Sequence, residues 1–260
     1  RVSDAVVEQI NTLPQIASRF LYDYKVLLSQ KIAVACEKRF EKKGRVHFNV
    51  GGAQAVEDAL KLVRNFTGKN LLFAFMGGYH GRTIGVSGVT SSFRYREHYG
   101  HFGDRAHFVP YPYCFRCHYG KQCESCNFYC VKQFEKNFEN EYHSFYDRAT
   151  KKSEYVAFIA EPVQGTGGYI VPPKGYFREL KRVLDKFGIL LVVDEIQMGF
   201  YRTGKLWSIE HFGVTPDIIT FGKSLTNGMN PLGGLWAKEE MINPQIWPSG
   251  RTHSTYSSNP

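Results

Sequence analysis

Two ionisable residues each stand just after an apolar run of the sequence, Asp194 after "ILLVV" and Lys223 after "IITFG". The run at 189–193 shows no alternation, which predicts a strand buried on both faces of a parallel sheet. In open α/β sheets, ligands bind beyond the carboxyl ends of the strands. At that edge Asp194 could be a metal ligand, a general base or a counter-ion to a buried cation, or it could cap a helix or turn.

Lys223 has two interpretations. A partly desolvated lysine at the end of a core strand could form a Schiff base with a carbonyl ligand. Alternatively, its alkyl stem could cover apolar surface while the ammonium group stays in water.

The stretch "NVGGAQAVEDALK" places Gly51 and Gly52 between a predicted strand and a predicted helix. The first backbone N–H groups of a helix and the positive end of its dipole suit a phosphate group. The stretch is neither a P-loop nor a complete GxGxxG motif, and glycine turns before helices are common.

Pyridoxal phosphate (PLP) accounts for these three features together. The glycine turn would hold the phosphate, and Lys223 would bind the aldehyde carbon. Asp194 would pair with the protonated pyridine nitrogen, which keeps the ring an electron sink.

The elements that must position these residues alternate along the chain. Strand-like runs such as "VHFNV" (46–50) and "LLFAFM" (71–76) alternate with helix-like runs such as "AQAVEDALKLVRNF" (53–66). This alternation predicts an α/β fold with a mostly parallel central sheet flanked by helices. In "YFRELKRVLDKFG", apolar residues recur at helical spacing, and Gly188 provides a stop.

Composition argues against several classes of function. The 260 residues are 43% hydrophobic and 22% charged, which is typical of a globular protein with a sizeable core. The net charge is +9, but basic and acidic residues are interspersed, which favours a solvated surface over a nucleic-acid site. No apolar run is long enough to span a membrane, and no leader opens the chain. We therefore expect a cytoplasmic protein.

The ordered motifs resemble the class III PLP-dependent aminotransferases, such as 4-aminobutyrate, ornithine and acetylornithine aminotransferases. These motifs are "GGAQAVEDALKLVRNFTG", "GGYHGRT", "AEPVQGTGGYIVPP", "DEIQMGFYRTGK", "PDIITFGKSLTNGMNPLGG" and "HSTYSSNP". Lys223 lies 29 positions after Asp194, as in the family. The resemblance implies the fold type I large domain of aspartate aminotransferase.

The resemblance also implies residue roles. Lys223 is the catalytic Schiff-base lysine and proton carrier, and catalytic Asp194 pairs with the ring nitrogen. Tyr79 and Ile196 cover the two ring faces, and Gln197 binds the phenolic oxygen, with Glu161 beside it as a polar partner. The phosphate binds Gly52 and Ala53, together with Thr255 from a neighbouring subunit, which implies a homodimer with shared active sites.

Three positions depart from the family pattern. Thr166 replaces the Glu of "EPxQGE", which in ω-amino transferases pairs with an arginine that binds the α-carboxylate. Met198 and Tyr201 replace Thr and Gly of "DEIQTGFGRTG". We expect these changes to affect the substrate cleft more than the cofactor site.

The resemblance further predicts the domain organisation. Residues 1–45 form a segment leading into the large domain, and 46–260 form the PLP-binding large domain with a Cys-rich insertion at 111–130. Family chains are considerably longer, so we expect a fragment that lacks the carboxyl-terminal small domain.

The insertion contains "YCFRCHYGKQCESCNFYC", with five of the six cysteines of the chain. Two CxxC pairs, Cys114 with Cys117 and Cys123 with Cys126, could bind zinc or an iron–sulfur cluster. Some 4-aminobutyrate aminotransferases hold an iron–sulfur cluster at a CxxC here. A loop packed on the dimer surface without metal is the alternative.

The resemblance implies transfer of an amino group from an ω-amino acid or amine to a 2-oxo acid, by way of pyridoxamine phosphate. A PLP-dependent racemase or epimerase is the alternative within the family, because it needs the same ring and lysine. A Cys-rich metal-binding interaction module is a distant alternative that leaves Asp194 and Lys223 unexplained.

Overall fold

Strands and helices alternate through the part of the chain that the computed structural model describes, residues 1–99, 105–140, 142, 144–248, 250–252 and 254–257. Its helices are α1 (Val2–Thr12), α2 (Asp23–Phe40), α3 (Gly52–Thr67), α4 (Ile84–Ser87), α5 (Tyr129–Lys136), α6 (Tyr176–Lys186) and α7 (Glu239–Ile242). Its strands are β1 (Gly44–Asn49), β2 (Leu71–Phe75), β3 (His107–Val109), β4 (Tyr146–Asp147), β5 (Lys152–Ser153), β6 (Tyr155–Ala160), β7 (Leu190–Asp194), β8 (Ile218–Phe221) and β9 (Gly233–Lys238). Each long predicted run is therefore an element of the predicted type.

The described strands build one seven-stranded sheet in the order β1-β9-β8-β7-β6-β2-β3 and a separate β4-β5 ribbon. Strands β3, β2, β6, β7 and β8 are parallel to one another in the large sheet. Strand β9 is antiparallel to both β8 and β1. The predicted mostly parallel α/β sheet is confirmed, with an antiparallel edge that the alternation rule did not predict.

Both faces of the sheet are covered. Helices α2, α5 and α6 pack into one core cluster with the sheet, and α3 and α7 pack into the other. Because β6, β7 and β8 are covered on both sides, their side chains are buried almost without interruption. This explains why the run before Asp194 shows no alternation.

Helix α6 illustrates how the sequence specifies an element locally. Its apolar stripe, including Leu180 and Val183, is buried against the sheet. The chain then turns at Gly188, whose φ of +66° lies in the left-handed region that favours glycine. The helix therefore ends where the sequence predicted, and β7 follows.

None of the helices in the described ranges is both long enough and apolar enough to cross a membrane.

Candidate active site

A cavity of about 330 Å³ opens at the carboxyl ends of the parallel strands. Eight of the nine predicted cofactor-binding residues line it: Gly52, Ala53, Tyr79, Glu161, Asp194, Ile196, Gln197 and Lys223. The topology explains this convergence, because β7 and β8 are parallel neighbours and end at the same edge. His80, Gly81 and Arg82 also line the cavity, although the sequence analysis assigned them no role.

Asp194 is the last residue of β7, and both of its carboxylate oxygens have partners. Oδ1 accepts the backbone N–H of Ile196 at 3.0 Å, and Oδ2 lies 2.7 Å from Nδ1 of His80. The Asp194 side chain is 3% exposed and that of His80 is 1% exposed. A carboxylate oxygen can accept more than one hydrogen bond, so Oδ2 retains capacity for a donor from the cavity.

The pKa of His80 reflects this pairing. Burial lowers the pKa of the imidazole, but the hydrogen bond to Asp194 and the charges of Asp194 and Glu161 raise the pKa by more than burial lowers it. The net pKa lies above the ordinary value. The pairing with Asp194 thus outweighs the effect of burial on the imidazole.

Glu161 is 4% exposed and follows β6. One carboxylate oxygen accepts the N–H of Tyr79 at 2.8 Å, and the other accepts the N–H of Gly165 at 3.1 Å. Burial is the main cause that raises the pKa of this carboxyl, with the charge of Asp194 adding to it. Glu161 thus joins two loops of the cavity wall through their backbones.

Lys223 follows β8 and Gly222, and its Nζ donates to Oε1 of Gln197 at 3.0 Å. Its φ of +39° is rare for a residue with a side chain and costs conformational energy. Lys223 is exposed in this chain and lines the cavity, and its role as the Schiff-base lysine stays a prediction.

The turn at Gly51 leads into α3, whose first residues Gly52 and Ala53 line the cavity. The first N–H groups of a helix have no partner within it, so they are available to an anion. A Cβ on Gly52 would lie 3.1 Å from the Ile196 side chain, so glycine allows the helix to begin close to the cavity floor.

Arg82 adds a second cation to the cavity wall. Its guanidinium carbon lies 4.5 Å from the ring centroid of Tyr95 and 5.8 Å from that of Tyr79. The two rings themselves pack edge to face at 5.3 Å. The position of Arg82 in the motif "GGYHGRT", two residues after His80, was the sequence signal that could have identified Arg82 as a cavity residue.

Some predicted residues lie away from the cavity. Thr255 does not line it, and its carbonyl accepts the N–H of Ser18 at 3.1 Å. Thr166 is exposed, Met198 is buried and Tyr201 is exposed, and none of the three lines the cavity. The three departures therefore lie outside the cavity that the predicted cofactor-binding residues line, and their effect on the substrate cleft stays a prediction.

Cys114, Cys117, Cys123, Cys126 and Cys130 are free thiols that line a separate cavity of about 460 Å³. Within the described residues, no three His, Cys, Asp or Glu side chains are placed to hold a metal ion. The predicted zinc or iron–sulfur site at Cys114, Cys117, Cys123 and Cys126 is not supported. Burial, then the neighbouring thiols, raises the pKa of Cys114 to about 12, and burial raises that of Cys130 to about 11.

Comparisons with known proteins agree with this geometry. The family model of the class-III aminotransferases matches residues 1–260. The chain is 37% identical to leucine/methionine racemase of Thermococcus litoralis over 246 residues, which are 93% of this chain and 52% of that protein. It is 33% identical to acetylornithine aminotransferase of Methanopyrus kandleri over 259 residues, covering 100% of this chain and 57% of that protein.

A solved structure matches as well. The PLP-bound (internal aldimine) form of an amine transaminase from an uncultivated Pseudomonas species has a TM-score of 0.86 and 28% identity, covering 98% of this chain and 58% of that chain. This chain thus spans about half the length of the curated relatives just named. Family match, fold and motif order agree, and the chain belongs to the class-III aminotransferase family.

Proposed function

We propose that the protein is a PLP-dependent aminotransferase that moves an amino group from an ω-amino acid or related amine to a 2-oxo acid. The observation that carries this proposal is one cavity lined by Asp194, Lys223 and the amino end of α3. The predicted carboxylate, amine and anion cradle all face that cavity, although they are distant in sequence.

The residues present fit PLP. Its phosphate suits the free N–H groups at the start of α3, where a Cβ on Gly52 would lie only 3.1 Å from the Ile196 side chain. Its pyridine nitrogen suits the carboxylate of Asp194, which His80 holds in place. Its aldehyde suits the amine of Lys223. When bound, the cofactor supplies an electron sink for negative charge at the substrate carbon.

The chain's own residues supply orientation and proton transfer. Asp194, which His80 contacts at 2.7 Å, would stabilise a proton on the ring nitrogen. Gln197 would orient the ring through its phenolic oxygen, with Tyr79 and Ile196 against the ring faces. The Nζ of Lys223, which Gln197 holds at 3.0 Å, would move the proton between the substrate and cofactor carbons.

Arg82 supports an acidic donor. Its guanidinium lines the same cavity as Lys223, and a guanidinium binds a carboxylate through paired hydrogen bonds. An ω-amino acid could place its carboxylate near Arg82 and its amine near Lys223.

An absorption spectrum of the protein with added PLP tests the proposal. We expect a band above 400 nm in the parent and in Lys132→Ala, an exposed lysine of α5 outside the cavity. Lys223→Ala should lack the band. Addition of 4-aminobutyrate should bleach the band, and 2-oxoglutarate should restore it. A band that survives Lys223→Ala would contradict the assignment of Lys223.

A racemase or epimerase is a second candidate, because the Thermococcus litoralis relative is a leucine/methionine racemase. It would use the same lysine and ring but no 2-oxo acid. Incubation of L-leucine or L-methionine with the PLP-loaded protein separates the two activities. A D-enantiomer formed without any 2-oxo acid would favour racemisation.

We also propose the assembly and the domain limits. Residues 46–260 would form the cofactor-binding domain, with 1–45 leading into it. Two copies would share their sites, with Thr255 reaching the phosphate in the partner copy. Gel filtration tests the dimer, and Thr255→Val should weaken PLP binding without changing the elution volume.

A further inference from the structure

Helix α3, which is described throughout, buries one charged side chain. Asp58 is 2% exposed and lies among buried apolar neighbours such as Val56, Leu60 and Leu62. A buried carboxylate is costly unless hydrogen-bond donors surround it. The helix core alone gives no reason for a charged residue here, so its partners must explain it.

Three neighbours from two other segments surround the Asp58 carboxylate. Nδ2 of Asn49, at the end of β1, donates to Oδ2 at 2.5 Å. Nε2 of His47 lies 3.4 Å from the same oxygen. The hydroxyl of Thr252 donates to Oδ1. Burial alone would raise the pKa of the Asp58 carboxyl, but the contacts with His47, Thr252 and Asn49 outweigh it, so the pKa lies below its usual value.

Asn49 connects this carboxylate to the turn before α3. Its side-chain Oδ1 accepts the N–H of Val50 at 2.8 Å, while its Nδ2 donates to Asp58. The other side of the turn packs against β9, because a Cβ on Gly233 would lie 2.6 Å from the carbonyl oxygen of Gly51. The turn therefore rests on β9 and is held by the Asn49 amide.

We propose that Asp58 is a positioning residue for anion binding: through Asn49 it holds the strand-to-helix turn that presents the N–H groups of Gly52 and Ala53. This inference rests on the proposed function in taking the anion to be the phosphate of PLP.

Charge attraction is not an alternative explanation. Asp58 lies six residues after Gly52, about 9 Å along the helix, and its negative charge opposes a phosphate at the amino end. Its contribution is therefore geometric. Asn49 and Thr252 donate to different oxygens of Asp58, and an Asn at position 58 would place an NH2 donor where one of those oxygens lies, so it could not accept at both positions.

The test compares binding of PLP with binding of pyridoxal, which lacks the phosphate. We expect Asp58→Ala and Asn49→Ala each to weaken PLP binding about tenfold, the scale of one lost buried hydrogen bond. Pyridoxal binding should stay within twofold of the parent. The Asp58→Ala, Asn49→Ala double variant should be no weaker than either single variant, because both act through one contact.

Asp217→Ala is the matched control for lost stability. Asp217 is also buried and hydrogen-bonded, accepting the N–H of Leu191 at 2.8 Å, but it lies outside the cavity lining. It should lower the melting temperature without changing the ratio of PLP to pyridoxal affinity. Equal weakening of both ligands by Asp58→Ala, or no weakening of either, would overturn the proposal. A loss of PLP affinity in Thr252→Val without a similar loss in Asn49→Ala would also overturn the proposal.

A second readout separates this proposal from the proposed function. Inorganic phosphate should raise the melting temperature of the parent and of Asp217→Ala more than that of Asp58→Ala or Asn49→Ala. If no band dependent on Lys223 forms but this phosphate pattern holds, the proposed function fails and the role of Asp58 stands. The band could instead form while Asp58→Ala and Asn49→Ala change neither the ratio of PLP to pyridoxal affinity nor the rise in melting temperature with phosphate. In that case the role of Asp58 is wrong and the proposed function stands.

Discussion

Nδ1 of His80 lies 2.7 Å from Oδ2 of Asp194, and both side chains are buried at the carboxyl edge of the sheet. The two residues are 114 positions apart in the chain. The pair makes Asp194 an oriented carboxylate instead of a free one, and it gives the site a dependence on pH that the motif alone does not show.

His80→Gln should reveal that dependence in the free energy of unfolding. The folded pKa of His80 lies above its ordinary value, about 6.5. The stabilisation from its extra proton affinity is therefore complete below that ordinary value and is lost as pH rises through the folded pKa. Urea unfolding at several pH values should show the parent's advantage over His80→Gln shrinking as pH rises. An advantage that grows with pH would contradict the pairing.

Glu195→Gln should remove a second pH dependence of the free energy of unfolding. Glu195 does not line the cavity, so this dependence concerns the fold and not the site. Burial raises the pKa of Glu195 from 4.5 to about 7, although Ile209 N–H and the Ser208 hydroxyl both donate to it. A raised carboxyl pKa stabilises the fold at low pH and costs stability as pH rises. The parent should lose about 3 kcal/mol relative to Glu195→Gln between pH 4.5 and 8. A constant difference across that interval would refute the burial argument.

Gly165→Ala should disturb the Lys223 contact from a distance. A Cβ on Gly165 would lie 2.5 Å from Cδ of Gln197, whose Oε1 accepts Nζ of Lys223. We expect kcat/KM for the proposed transamination to fall about tenfold. The decisive control is the Gly165→Ala, Gln197→Ala double variant, which should match Gln197→Ala alone because the clash partner is gone. If the losses in kcat/KM of the two single variants add in the double variant, Gly165→Ala does not act through the Gln197 side chain.

Alkylation of the cysteine cavity should report on its protonation. With pKa values of about 12 and 11, Cys114 and Cys130 react through a small thiolate fraction at neutral pH. Iodoacetamide labelling, followed by peptide mass spectrometry, should accelerate about tenfold per pH unit up to at least pH 10 at both residues. A labelling rate that levels off near pH 7, together with release of metal on labelling, would support the predicted metal site after all.

The sequence predicted those parts of the fold that depend on neighbours in the chain. The stripe of α6 and its stop at Gly188 follow from local periodicity, and both match the structure. The antiparallel strand β9 was not predicted, because "GGLWAK" combines two glycines with a tryptophan and gains its stability from pairing with β8 and with β1, which is distant in the chain.

The sequence by itself determined the family and the alternating α/β order, and it singled out Asp194 and Lys223 as candidates, since apolar runs and motif spacing are local properties of the chain. Tertiary structure alone decided which groups meet. His80 reaches Asp194 across 114 positions, and Thr252 reaches Asp58 across 194. Strand order and loop closure set these contacts, and a buried polar atom takes whichever partner the packing brings within hydrogen-bond distance.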